Sequence, residues 1–199
     1  MKPLKLEYEE REGWLPALCT LLEVQRSRAD NLLYVQSREY YEAVTPERGV
    51  YFAAWQGAGL VGFHLSGFAS AIHPLWRPYM DRIGGADSEF CVNIQTLVHP
   101  DYRGRNTGSV LQQEALRHLR ERGARHSLVT IHPDNVANLK ICARLGYREI
   151  DRTLVYDTRV PRVLLHLDMR ATPPCAREEM PQAHGKSGEV GSRGHQPAW

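Results

Sequence analysis

The sequence predicts a single α/β (α+β) domain with a central, mixed, partly parallel β-sheet flanked by helices. Three observations predict it. The chain has 199 residues, the length of one domain rather than two. Its front half carries two apolar runs, Val50 to Trp55 and Leu60 to Phe68, separated by Gln56-Gly57-Ala58-Gly59, a hairpin signal. Its back half reads strand–helix–strand–helix–strand, which needs parallel crossovers. Hydrophobic residues make up 42% and charged residues 24%, so the composition is that of a chain able to bury a core.

The elements follow in order. Leu4 to Glu9 alternates as a strand does. Trp14, Leu18, Leu21, Leu22 and Gln25 then fall on one helical face. A short helix is expected over Arg38 to Ala43, ahead of the hairpin strands, and Glu89 to Val98 is the next strand. In the helix Gly108 to Arg122, Leu111, Ala115 and Leu119 repeat every four residues, and Gly123 stops it. Ser127 to Ile131 is a strand. Asn135 to Leu145 is a helix with Arg144 in its last turn and Gly146 just beyond. Strands over Glu149 to Tyr156 and Arg162 to Met169 close the domain, with Asp157 to Pro161 as their turn, and no internal repeat stands out. The domain is expected to span residues 1–170. Residues 171–199, rich in Pro and Gly and without apolar periodicity, read as a disordered tail. Gly185-Lys186-Ser187 is no phosphate loop, because Met180 stands where that motif needs its first glycine.

Composition excludes several functions. Lys and Arg total 25 against 23 Asp and Glu, too even a balance for a protein that wraps nucleic acid. No apolar run approaches the ~18–20 residues of a membrane span, and the acidic N-terminus is no signal peptide. Cys19, Cys91, Cys142 and Cys175 are scattered without a CxxC pair, so no metal is expected and a reduced, cytoplasmic setting is.

The stretch Val98-His99-Pro100-Asp101-Tyr102-Arg103-Gly104-Arg105-Asn106-Thr107-Gly108-Ser109-Val110-Leu111 carries the chemistry. A strand ends, a turn with two arginines and two glycines follows, and a helix begins. The first turn of a helix has free N–H groups and a dipole that favours negative charge. Arg103 and Arg105 add full positive charges, and Gly104 and Gly108 permit close backbone approach. A diphosphate is the natural guest.

YRGRNTGSVL resembles the acyl-CoA-binding motif [QR]-x-x-G-x-[GA] of the GNAT superfamily of N-acetyltransferases, with Arg103 first and Gly108 last. The middle glycine is Asn106, the non-glycine residue that best tolerates a left-handed backbone. Downstream, Asn135 to Tyr147 resembles the family's N-x-x-(A/N)-…-L-G-(F/Y) segment, with Asn135 and Asn138 bordering the cofactor arm. The resemblance covers roughly Val50 to Met169. It implies a sheet that splays beside Thr96, Leu97 and Val98, with the pantetheine arm in the gap. It further implies a pyrophosphate on the N–H groups of Arg103, Gly104, Arg105, Asn106, Thr107, Gly108 and Ser109, and direct attack by an amine on the thioester of acetyl-CoA.

The same resemblance puts Cys142 where many members carry an acid tyrosine. A thiol donor and a buried core cysteine are both open readings there. Val92 and Ile94 occupy the usual base positions and cannot titrate. Strand alternation gathers Glu89, Cys91, Asn93 and Gln95 on one face, which a bulge would re-aim. The base candidates, in order, are Glu89, His132 and His64, with a water chain as the alternative. Residues 69–88 form a long connection carrying Trp76, Arg77, Tyr79, Met80 and Arg82. It reads equally as an acceptor-covering flap or as a short helix packed on the core. The expected partner is a small-molecule or peptide amine, with no nucleic acid and no membrane. Homodimer formation is left open. The competing readings are a non-catalytic acyl-CoA-binding domain and a nucleotide-binding module.

Overall fold

The computed structural model describes residues 5–7, 14–27, 36–43, 48–68, 74–155 and 160–171. Within them the chain runs β1 (Lys5–Glu7), α1 (Trp14–Arg26), α2 (Arg38–Glu42), β2 (Gly49–Gln56), β3 (Gly59–Phe68), α3 (Arg77–Ile83), β4 (Phe90–Val98), α4 (Thr107–Glu121), β5 (His126–Ile131), α5 (Val136–Arg144), β6 (Arg148–Val155) and β7 (Val160–Asp168). The seven strands form one sheet in the order β1-β2-β3-β4-β5-β7-β6. Pairing is antiparallel except between β4 and β5. This is the mixed, partly parallel sheet the sequence predicts. Residues 172–199 of the tail, 69–73 of the long connection and 156–159 of the last turn lie outside the described residues.

Helices cover both faces because each presents one apolar stripe. Leu18, Leu21 and Leu22 of α1 and Tyr41 of α2 bury against Ala53, Phe63, Leu65 and Leu97. On the other face Leu111, Ala115 and Leu119 of α4 are fully buried, with Cys142 and Leu145 of the α5 end in the same core. Gly62 lets α4 sit close to the sheet. A Cβ there would meet Leu111 Cδ1 and Thr107 Cγ2 at 3.0 Å and the Ala54 Cβ at 3.3 Å. Residues 74–88 resolve into a short 3-10 turn and α3, and the core-packing reading holds: Trp76 and Met80 bury against Phe90, Val92, Leu128 and Leu164. Arg77 pairs with Asp81 and Asp87, and the Tyr79 hydroxyl donates to Asp151. These bonds fasten α3 at the end of the sheet where β4 begins.

Two features of β4 shape the site. Its register against β3 slips, with Leu65 opposite Gln95 but Ser66 opposite Asn93, so Ile94 is an unpaired bulge residue. The bulge splits the polar face expected from alternation. Asn93 turns to α4, where its Nδ2 donates to Gln112, whereas Gln95 turns to α2 and accepts from the Tyr41 hydroxyl at 2.9 Å. The second feature is that β4 and β5 pair over only four residues, Phe90 to Asn93 against His126 to Val129. Beyond Asn93 the two strands have no shared rungs, and the β5 residues Thr130 and Ile131 pair with β7 alone. The sheet splays there.

Candidate active site

The open end of the splay is framed by two strand ends with the same tripeptide. His99-Pro100-Asp101 follows β4 and His132-Pro133-Asp134 follows β5. In each, the histidine Nδ1 accepts the N–H of the aspartate, at 3.3 and 3.2 Å. In each, the histidine carbonyl accepts the N–H three residues on, from Tyr102 and Asn135, at 2.9 Å. Each turn then feeds a helix, α4 or α5. The repeated HPD was visible in the sequence, and its signal is its place at the ends of two adjacent parallel strands.

The two helix starts differ. At α5 the Asn135 Oδ1 accepts from the Asn138 N–H, a side-chain cap. At α4 the cap residue Asn106 makes no side-chain cap bond, and the α4 ladder begins with Val110 N–H to Asn106 O. The N–H groups of Thr107, Gly108 and Ser109 precede that first bond. Asn106 has φ +62, and among the described residues it is the only non-glycine with positive φ. Gly104 stands at φ +74, while Gly108 is not in that region, and a Cβ on it would find ordinary contacts with Val98, Ile141 and Thr96 at 3.4–3.9 Å.

The two arginines of the loop divide. Arg105 lies over the Tyr102 ring, 5.1 Å from its centroid. Arg103 folds back instead. Its Nη2 donates to Gln25 Oε1 at 2.6 Å, and Gln25 Nε2 donates to the Val98 carbonyl at 3.0 Å. Gln25 is buried in α1 and ties that helix to the end of β4. A polar residue on the α1 apolar stripe was the signal for it.

The acid–base candidates are scattered. Glu89 lies at the closed end, about 13 Å of strand below Asn93, with its carboxylate 2.7 Å from Arg125 Nε. It is therefore removed from the opening, against its first rank in the sequence. His64 is buried under α4, with Nδ1 3.0 Å from the Thr96 hydroxyl and Nε2 2.8 Å from the Ser66 hydroxyl. Burial without a charged partner pushes its pKa down to about 3. Cys142 is fully buried and its thiol is pushed up to about 12 by that burial. Only His132 of the four stands at the opening, its side chain 15% exposed.

Sequence reasoning missed the hub below the opening. Gln112 Oε1 lies 3.4 Å from the Asn93 amide donor and 3.8 Å from the Cys142 thiol, and Gln112 Nε2 donates to Asn138 Oδ1 at 2.8 Å. Among the described residues no three His, Cys, Asp or Glu gather as a metal site, and no helix is long and apolar enough to cross a membrane.

Comparison with known proteins gives a consistent result. A sequence profile described as the Acetyltransferase (GNAT) family matches residues 15–147. The mycothiol acetyltransferase of Catenulispora acidiphila is 26% identical over 106 residues, which is 53% of this chain and 30% of that protein. The chain thus spans under a third of that relative. An N-acetyltransferase from Staphylococcus aureus superposes with a TM-score of 0.65 at 17% identity, covering 84% of this chain and 99% of that one. The Arabidopsis thaliana NAA60 structure, in complex with acetyl-CoA, superposes with a TM-score of 0.62 at 14% identity, over 84% and 99% of the two chains.

Proposed function

The chain belongs to the GNAT family of acetyltransferases, and on that premise we propose that it moves an acetyl group from acetyl-CoA to a primary amine. One observation carries the reading. An uncapped helix start preceded by an arginine-rich turn lies beside the point where β4 and β5 part. The Arg103 N–H is held by the Pro100 carbonyl, so the diphosphate of the coenzyme takes the N–H groups from Gly104 through Ser109, and Asn106 holds the left-handed turn that aims them. The pantetheine arm lies along the unpaired edge of Thr96, Leu97 and Val98. Arg103 acts through Gln25 and the Val98 carbonyl, fixing the edge rather than gripping phosphate.

In the chemical step the amine lone pair attacks the thioester carbon. The β4 N–H groups stabilise the oxyanion, the C–S bond breaks and coenzyme A leaves as thiolate. The amine proton passes to solvent. Of the candidate bases only His132 stands at the opening, where its Nδ1 accepts the Asp134 N–H. The buried Cys142 and His64 take no part in proton transfer. The cytoplasmic setting belongs to the same proposal and draws on three free cysteines among the described residues.

Isothermal titration with acetyl-CoA, followed by thiol release over a panel of small and peptide amines, tests the proposal. Saturable binding with turnover on any amine is expected; no binding at millimolar acetyl-CoA overturns it. A second reading, a non-catalytic acyl-CoA-binding domain, is favoured by Cys142 standing in place of a tyrosine acid. Binding without turnover on every amine selects it.

A further inference from the structure

The Asn93–Gln112–Asn138 bridge occupies a defined place. Asn93 is the last β4 residue paired with β5, so its side chain marks the apex of the splay. Gln112 lies five residues into α4, about 7.5 Å along the axis from its start, and is 1% exposed. Asn138 lies in the first turn of α5. The bridge therefore crosses from one helix to the other below the opening, and Cys142 backs it with a small side chain. Bulky apolar side chains are the ordinary filling of such a position. Here it is closed by three amides and a thiol.

A length argument connects the bridge to the coenzyme. From phosphate oxygen to sulfur the pantetheine arm has some twelve bonds, an extended reach of roughly 14 Å. From Val98 to Asn93 the bulged strand matches the four steps from Gly62 to Ser66 on β3, a span of about 13 Å. An arm that starts at the α4 end and follows the β4 edge delivers its sulfur at the level of the apex. The acyl group then points at the bridge with little room beyond it.

We infer that the Asn93–Gln112–Asn138 bridge is the floor of the acyl-CoA cleft and restricts the acyl group to a short chain, with Gln112 as the specificity-determining residue. The inference rests on the acyl-CoA reading above. An acyl chain longer than acetyl has to displace an amide of the bridge from its partner. An amide left unpaired in a buried site loses about one hydrogen bond, or roughly tenfold in affinity.

Titration calorimetry with coenzyme A, acetyl-CoA and hexanoyl-CoA tests this without knowledge of the acceptor. The wild-type protein is expected to bind acetyl-CoA at least about tenfold more tightly than hexanoyl-CoA. In Gln112→Ala the difference narrows to about threefold or less, and Asn138→Ala, at the partly exposed start of α5, shifts it the same way. Equal wild-type affinity for the two thioesters overturns the inference, and needs no variant to fold. So does a Gln112→Ala protein that keeps the full discrimination. Failure of coenzyme A itself to bind removes the acyl-CoA reading as well, so the two failures are told apart by the coenzyme A titration.

Discussion

Asn106 occupies the one backbone position where this chain departs from the glycine of the loop motif and yet keeps the geometry, at φ +62. Its short polar side chain tolerates that region, whereas a β-branched residue meets the following carbonyl. Asn106→Gly is expected to leave acetyl-CoA affinity within about twofold of wild type. Asn106→Val is expected to cost about 1–2 kcal/mol of stability and to weaken acetyl-CoA binding at least about tenfold. Calorimetry and urea unfolding read both effects, and a Val variant that binds normally would remove the loop from the phosphate site. The sequence identified this residue and its conformation. It did not identify the destination of Arg103, because a side chain that folds back onto Gln25, 78 positions away, leaves no trace in local spacing.

At the level of elements, α3 packs as part of the core. Trp76 and Met80 bury against Phe90, Val92, Leu128 and Leu164, near the paired end of β4 and β5 and away from the opening. Trp76→Ala is expected to cost about 3–5 kcal/mol in urea unfolding, while the folded fraction keeps acetyl-CoA affinity within about threefold. A loss of affinity with little loss of stability would restore the flap reading. The sequence left α3 undecided because an i, i+4 pair of Trp and Met serves a lid and a core helix equally well. The parallel crossovers, the helix stops and the left-handed turn ahead of α4 were legible, since each is encoded within a few consecutive residues. The β4 bulge was raised by the polar run Cys91, Asn93 and Gln95, but its position at Ile94 depends on the partner strand. The four-residue limit of the β4–β5 ladder is a tertiary fact of the same kind. The place of Glu89 is hidden for the same reason: it lies in the turn just before β4, at the paired end, and only the pairing reveals which end opens.

For the whole molecule, the buried His64 sets an acid limit. Its folded pKa of about 3 lies below the ordinary value of 6.5. The unfolded chain therefore binds a proton that the folded chain refuses. Stability is full above about pH 6.5 and falls as pH drops toward 3, by a total on the order of 5 kcal/mol. His126 and His166, in contact at 3.1 Å and both lowered chiefly by burial, act with the same sign. Against a typical domain stability of about 5–15 kcal/mol, that is a large share. His64→Gln is expected to flatten the decline measured by urea unfolding between pH 6.5 and 4. An unchanged slope would assign the acid loss to other groups.

Seven residue pairs join β3 to β4 and six join β5 to β7, but only four join β4 to β5. The seam that makes room for a guest is also the shortest ladder among strands β2 to β7. A molecule clasped by the α4 turn on one bank and the α5 start on the other works as a rivet across that joint. In the proposed binding mode its binding energy adds directly to the cohesion of the two arms, and the co-substrate serves as a piece of the chain's own framework.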